Sequence, residues 1–165
     1  MVYEYHQDDP RKCTSAKLRR FRLARQLRSI RQIPRSSIVL NPMGELRVSK
    51  ADRFQVENYG LVGLDCSWNR SENIFLERFP GEARRLPALL AGNPTNYGVM
   101  GKLSTAEALA AALFITGFES DSNRVLSLFK WGPTFLALNR EPLEAYAKAQ
   151  LEKLGEVEAE FFNIN

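Results

Sequence analysis

Leu64-Asp65-Cys66-Ser67-Trp68 sets a carboxylate, a thiol and an indole at the end of the apolar run Leu61-Val62-Gly63-Leu64. Further on, Asn93-Pro94-Thr95-Asn96-Tyr97-Gly98 leads through Lys102-Leu103-Ser104 into an Ala-rich segment. An acid and a tryptophan at a strand end, opposite a turn-rich loop feeding a helix N-terminus, describe a small-molecule pocket. Asp65 has two readings. It can cap the next helix, as Asn69 or Ser71 also can, or it can accept a proton from a nucleobase nitrogen or steer one toward an electrophile. Trp68 can pack in a core or cover a cationic ligand with its π-face, an attraction worth roughly 0.5–2 kcal/mol.

Other chemistries lack their residues. Cys13 and Cys66 are isolated, and His6 is the only histidine, so a zinc site would want a fourth ligand and a recognisable spacing. No metal is expected. His6 stands in an alternating, strand-like run far from any nucleophile, which argues against a Ser-His-Asp or Cys-His arrangement. There is no P-loop, and Gly60-Leu61-Val62-Gly63 sits inside a strand run where a dinucleotide-binding turn cannot be. Ser104-Thr105-Ala106-Glu107 matches a capping box, which makes Glu107 structural. The helix behind it, Ala106 to Ala112, is thin enough for a flat ring or for close packing on a sheet. The backbone of the 93–101 loop offers amides and carbonyls to an adenine edge.

Charge is unevenly spread. Ten basic residues and no acidic one lie between Arg11 and Arg35, eight of them Arg, while Glu141 to Asn165 holds six Glu against Lys148 and Lys153. A solvated helix face would explain the basic block, but Arg grips phosphate through a planar fork, so nucleic acid is the favoured partner. No run approaches the roughly 20 apolar residues needed to span a bilayer. Met1 to Tyr5 does not read as a signal peptide. A cytoplasmic protein is expected.

Val2–His6 alternates as a strand, and Thr14 or Ser15 starts a helix to about Arg28 with Leu18, Phe21, Ala24 and Leu27 inward. Ser37–Leu40 reads as a strand, Ser49–Val56 as a short helix, Leu61–Leu64 as a buried parallel strand with Asp65 at its C-terminal end, where open α/β sheets place ligands. A helix is expected over 71–79, a strand over Leu86–Ala91, and helices over 104–116, 121–129, 132–138 and 141–161. The fold class is α/β, with an N-terminal α/β sheet subdomain over 1–90 and a mostly helical C-terminal subdomain over 91–165.

The chain resembles the small-subunit ribosomal RNA aminocarboxypropyltransferases, ribosome-biogenesis factors of archaea and eukaryotes. The resemblance is carried by Asp9-Pro10-Arg11-Lys12-Cys13-Thr14-Ser15, the Leu40-Asn41-Pro42 turn, Leu64 to Trp68, and the Leu-Pro, Asn-Pro, Asn-Tyr-Gly, Lys-Leu-Ser, Glu-Ala succession of Leu86 to Phe118. It implies transfer of the 3-amino-3-carboxypropyl group of S-adenosylmethionine to a ring nitrogen of a (methyl)pseudouridine in small-subunit rRNA, by a SPOUT-like fold with a deep trefoil knot acting as a monomer.

Carried onto this chain, the resemblance implies that Thr14 bonds the cofactor carboxylate. Leu40 and Pro42 wall the adenine against Ala108, Ala111 and Ala112. The backbones of Leu86 and Gly101 read its edge, and that of Leu64 the ribose. Thr105 holds the amino group, Trp68 contacts the methyl, and Asp65 positions the acceptor or removes its proton. Lys17, Arg22 and Arg84 meet RNA phosphates. Ser15 stands where many relatives carry glycine. Two other readings compete: a SPOUT-type RNA methyltransferase, and a ribosome-assembly RNA-binding factor without catalysis.

Overall fold

The computed structural model describes residues 1–5, 13–66 and 72–163. Its centre is a five-stranded, wholly parallel sheet in the order β2-β1-β4-β3-β5. The strands are β1 (Val2–Glu4), β2 (Gln26–Leu27), β3 (Ile38–Leu40), β4 (Leu61–Asp65) and β5 (Glu82–Arg84). Central β4 pairs Leu64 with Tyr3 and Val62 with Val39. Successive side chains point to opposite faces. Ile38, Leu40 and Leu61 join the larger core beneath the helices, while Val39, Val62 and Leu64 join Leu27 and Ile33 in a smaller core on the other face. Burial on both sides explains why the sequence of β4 shows no alternation.

The helices are α1 (Thr14–Arg20), α2 (Arg53–Tyr59), α3 (Glu72–Phe75), α4 (Thr105–Ile115), α5 (Glu119–Leu126), α6 (Gly132–Lys148) and α7 (Leu154–Phe162). Helix α4 is buried almost all round, and Ser104 and Glu107 form the expected capping box. It approaches β4 closely at Gly63, where a β-carbon would lie 3.0 Å from Thr105 Cγ2. That missing side chain allows the α4 N-terminus to stand beside Asp65. Ser49 likewise caps the turn before α2, with Asp52 as its reciprocal partner.

Three expected elements are corrected. The first helix stops at Arg20, not Arg28. Arg22 takes a left-handed conformation (φ 57°), Arg22 N–H donates to Arg19 C=O, and Leu23 N–H donates to Leu18 C=O. This is the Schellman closure, here without glycine. Leu27 is buried as expected, but in a strand beside β1.

Leu86–Ala91 is not a strand of the sheet. The fifth strand is Glu82–Arg84, and the later segment finds its partners in helical side chains and, through one antiparallel bridge of Leu90 with Met100, in the backbone of 98–101. Last, α6 runs unbroken through Pro142 and ends before Ala149. Proline inside a helix costs about 3 kcal/mol, and complete burial of Leu143 and Tyr146 just beyond it offsets that. Among the described residues, no helix is long and apolar enough to cross a membrane.

Candidate active site

A cleft of about 650 Å³ opens at the C-terminal ends of β3 and β4, within the roughly 300–1,000 Å³ range of small-molecule sites. Leu40 ends β3 and Pro42 follows it, Leu64 and Asp65 end β4, and Thr14 and Thr105 open α1 and α4.

Asp65 ties these ends together. Its Oδ1 accepts from Thr105 Oγ1 at 2.7 Å. Its Oδ2 lies 2.7 Å from Ser15 Oγ and 3.1 Å from Cys13 Sγ, both hydrogen-bond donors. Ser15 Oγ also lies 2.9 Å from Glu4 Oε1, so its one proton serves a single carboxylate at a time. Arg19 neutralises Glu4 at 2.7 Å, and Gln26 Nε2 donates to it. Glu4, Cys13 and Asp65 bring ligand-capable atoms within 4.8 Å of one another, yet each already faces protein donors. The arrangement is a hydrogen-bonded hub joining β1, β4, α1 and α4.

Burial pushes the Cys13 thiol above its ordinary value, and the Asp65 carboxylate pushes the same way. Removing that negative charge stabilises the thiolate. Asp65→Asn is therefore expected to speed alkylation of Cys13 at pH 8, read by peptide mass mapping after iodoacetamide; an unchanged or slower rate would show that the carboxylate does not govern the thiol.

Opposite the hub, backbone 88–93 is held by helical side chains. Glu158 of α7 accepts from Ala88 N–H at 2.6 Å while paired with Arg47, and Tyr146 donates to Ala88 C=O at 3.0 Å. Asn139 Oδ1 accepts from Leu90 N–H and its Nδ2 donates to Leu90 C=O, at 2.7 and 2.8 Å. Glu107, fully buried, accepts from the amides of Gly92, Asn93 and Ser104 and from Asn93 Nδ2, all within 2.9 Å. Asn93 Oδ1 in turn receives the amides of Thr95 and Asn96. The wall is held from two sides, by these side chains and by backbone bonds to 98–101 around the antiparallel bridge of Leu90 with Met100.

The cleft brings together Thr14, Leu40, Pro42, Leu64, Asp65, Leu86, Gly101, Thr105 and Ala108. Thr14 Oγ1 accepts from Ala106 N–H at 3.2 Å, which leaves its own proton to donate to an anion. Gly101 N–H donates to Leu89 C=O, so its carbonyl is the group left for a ligand.

Ala111 and Ala112 are corrections. Both are fully buried in the main core and outside the lining, because α4 turns inward one turn past Ala108. Trp68 lies outside the described residues. Arg22 is exposed. Arg84 is a further correction: its guanidinium pairs with Asp52 at 3.0 Å and Glu82 at 2.8 Å and donates to Ala83 C=O, leaving it committed internally. Lys17 is exposed but donates to Leu128 C=O, with its ammonium 5.0 Å from the Phe129 ring centre.

Trp131 and Glu158 line the cleft and were missed. A tryptophan before a Gly-Pro helix start and a glutamate in an acidic helix carry no local signal of a pocket more than twenty residues away in sequence.

The family described as "Ribosome biogenesis protein, C-terminal" matches residues 38–162. A second match, described as "Possible Fer4-like domain in RNase L inhibitor", covers residues 1–32. That stretch has one cysteine, Cys13, and a ferredoxin cluster takes four thiolates, so its residues do not fit an iron–sulfur centre. The chain is similar to the 16S rRNA aminocarboxypropyltransferase of Methanosarcina acetivorans, 49% identical over 153 residues covering 90% of this chain and 86% of that one. It is likewise similar to the enzyme of the same name from Thermoplasma acidophilum, 44% identical over 98% of this chain and 100% of that one. The solved structure of the SAM-dependent rRNA:acp-transferase Tsr3 from Vulcanisaeta distributa superposes with a TM-score of 0.91 at 42% identity, covering 99% of this chain and 88% of that one.

Proposed function

The chain belongs to the ribosome biogenesis protein family, and on that premise we propose that it transfers the 3-amino-3-carboxypropyl group of S-adenosylmethionine to small-subunit ribosomal RNA. The observation that carries this reading is the meeting of the Thr14 hydroxyl, the Asp65 hub and the α4 N-terminus at one cleft.

The residues present fit the cofactor. Leu40, Pro42, Leu86 and Ala108 offer apolar surface to a flat ring. Thr14 has a proton to donate to a carboxylate beside the first turn of α4, where negative charge is favoured. The carbonyl of Gly101 is available for a purine amino group. When bound, the sulfonium supplies an electrophilic carbon on its three-carbon arm, and the C–S electron pair leaves with sulfur.

Asp65 holds a fixed negative charge at the reacting end. Hydrogen bonds from Thr105 and Ser15 fix the orientation of its carboxylate, which makes it a positioning group for the acceptor N–H. Orientation of the two reactants then supplies most of the rate.

Finer features belong to the same proposal. The acceptor is a ring nitrogen of a (methyl)pseudouridine, and exposed Arg22 of the basic block meets phosphate. The protein acts in the cytoplasm as a monomer, with a SPOUT-like trefoil knot and subdomains over 1–90 and 91–165. Their support is the resemblance, together with the sheet lying before residue 85 and α4–α7 after it. The test uses cofactor labelled separately on the methyl and on the carboxypropyl carbons, incubated with small-subunit rRNA. Carboxypropyl label in RNA is expected; methyl label alone would make the protein a methyltransferase, and neither label with RNA bound would leave an assembly factor.

A further inference from the structure

Helix α6 lies along the cleft wall in register. Tyr146 bonds Ala88, Asn139 bonds Leu90, and Phe135 packs on Gly92, where a β-carbon would lie 2.7 Å from its backbone. One helical turn further toward the N-terminus stands Trp131, which lines the cleft. The progression therefore sets Trp131 at the Asn93–Pro94 end of the wall. That end also holds the α4 N-terminus, through Glu107 on Gly92 and Asn93, and with it Thr14, Thr105 and Asp65.

The indole is backed and aimed by its neighbours. It stacks on Phe129 with ring centres 4.8 Å apart at 27°, and Lys17 sits over the same Phe129 and holds Leu128 C=O. Lys17 thus braces the aromatic pair from the basic helix. Trp131 is only half-buried, and its indole N–H makes no hydrogen bond among the described residues. Lys130 beside it is exposed.

We propose that Trp131 is the platform on which the acceptor nucleobase stacks. The inference rests on the transferase reading, which places the charged arm of the cofactor at Thr14 and Thr105. An acceptor must reach that arm from the end where Trp131 and the basic helix converge. Single-stranded RNA is recognised by splaying bases onto aromatic faces, and each such stack changes affinity roughly 5- to 150-fold.

The experiment is a double-mutant cycle on the full chain. The ligands are a small-subunit rRNA hairpin carrying the pseudouridine-type acceptor and the same hairpin made abasic at that position, with S-adenosylmethionine affinity measured in parallel by calorimetry. Trp131→Ala is expected to weaken the intact hairpin by roughly 5- to 150-fold, to abolish the penalty of the abasic site, and to leave cofactor affinity within about twofold; Trp131→Phe should recover most of the loss. A full abasic penalty retained in Trp131→Ala, or a loss confined to the cofactor, overturns the proposal. Failure of the parent reading looks different: wild-type protein would then put no carboxypropyl label into the hairpin, whatever the cycle reports.

Discussion

Glu107→Ala is expected to destabilise the fold by about 4 kcal/mol or more, and to remove cofactor binding with it. The substitution strips an acceptor from three backbone amides, those of Gly92, Asn93 and Ser104. Glu107 is fully buried, and each buried amide left unpaired costs roughly 1–3 kcal/mol. Against a total stability of roughly 5–15 kcal/mol, that is a large fraction. Glu107→Gln separates charge from geometry. Its oxygen can still receive Gly92 and Asn93, but its NH₂ then meets Ser104 N–H and Asn93 Nδ2, two donors. Asn93 cannot relieve this by turning its amide, because Oδ1 already receives Thr95 and Asn96. A cost of about 2 kcal/mol is expected for Gln. Urea unfolding measures both, and an alanine variant within about 1 kcal/mol of wild type would contradict the assigned role of this carboxylate.

Asp65→Asn should lower kcat by roughly 10²-fold or more while cofactor affinity stays within about twofold. The variant is informative because the hub survives it. Thr105 and Ser15 carry hydroxyls, and each can turn to accept from the new NH₂ group where it formerly donated. Geometry is kept and the charge is lost. Single-turnover transfer with saturating cofactor isolates the chemical step. A variant that keeps more than about a third of wild-type kcat would remove Asp65 from the reaction, leaving it a structural knot of hydrogen bonds between β4, α1 and α4.

Much of the site was legible because its signals are local. The Ser104–Glu107 box, the Asp65 strand end and the Asn41-Pro42 turn each state their chemistry within a few residues, and the structure gathers them in one cleft. The misreadings share a cause. Leu18, Phe21, Ala24 and Leu27 recur every three residues, as a helix face would, yet the chain closes at Arg22 and Leu27 is buried as a strand. Periodicity found the burial of Leu18 and Leu27 and left open which element buries each, while Phe21, expected inward, is 51% exposed where the helix ends. The resemblance gives Arg84 to RNA phosphate, and a sequence does not show that Asp52 and Glu82 stand beside it. Ala111 and Ala112 share a helical stripe with Ala108, and only the packing of α4 decides where the cleft stops along that stripe.

By itself, then, the order of residues determined the α/β class, the parallel β4 with its terminal carboxylate, the cap of α4 and the basic character of the first third. Those properties depend on neighbours within one or two turns of chain. Only the tertiary structure decided that Glu158, Tyr146, Asn139 and Glu107 hold the cleft wall, and that Trp131 lines the cleft. A buried backbone must find partners wherever the fold supplies them, and partners supplied from 14 to 70 residues away leave no mark on local spacing.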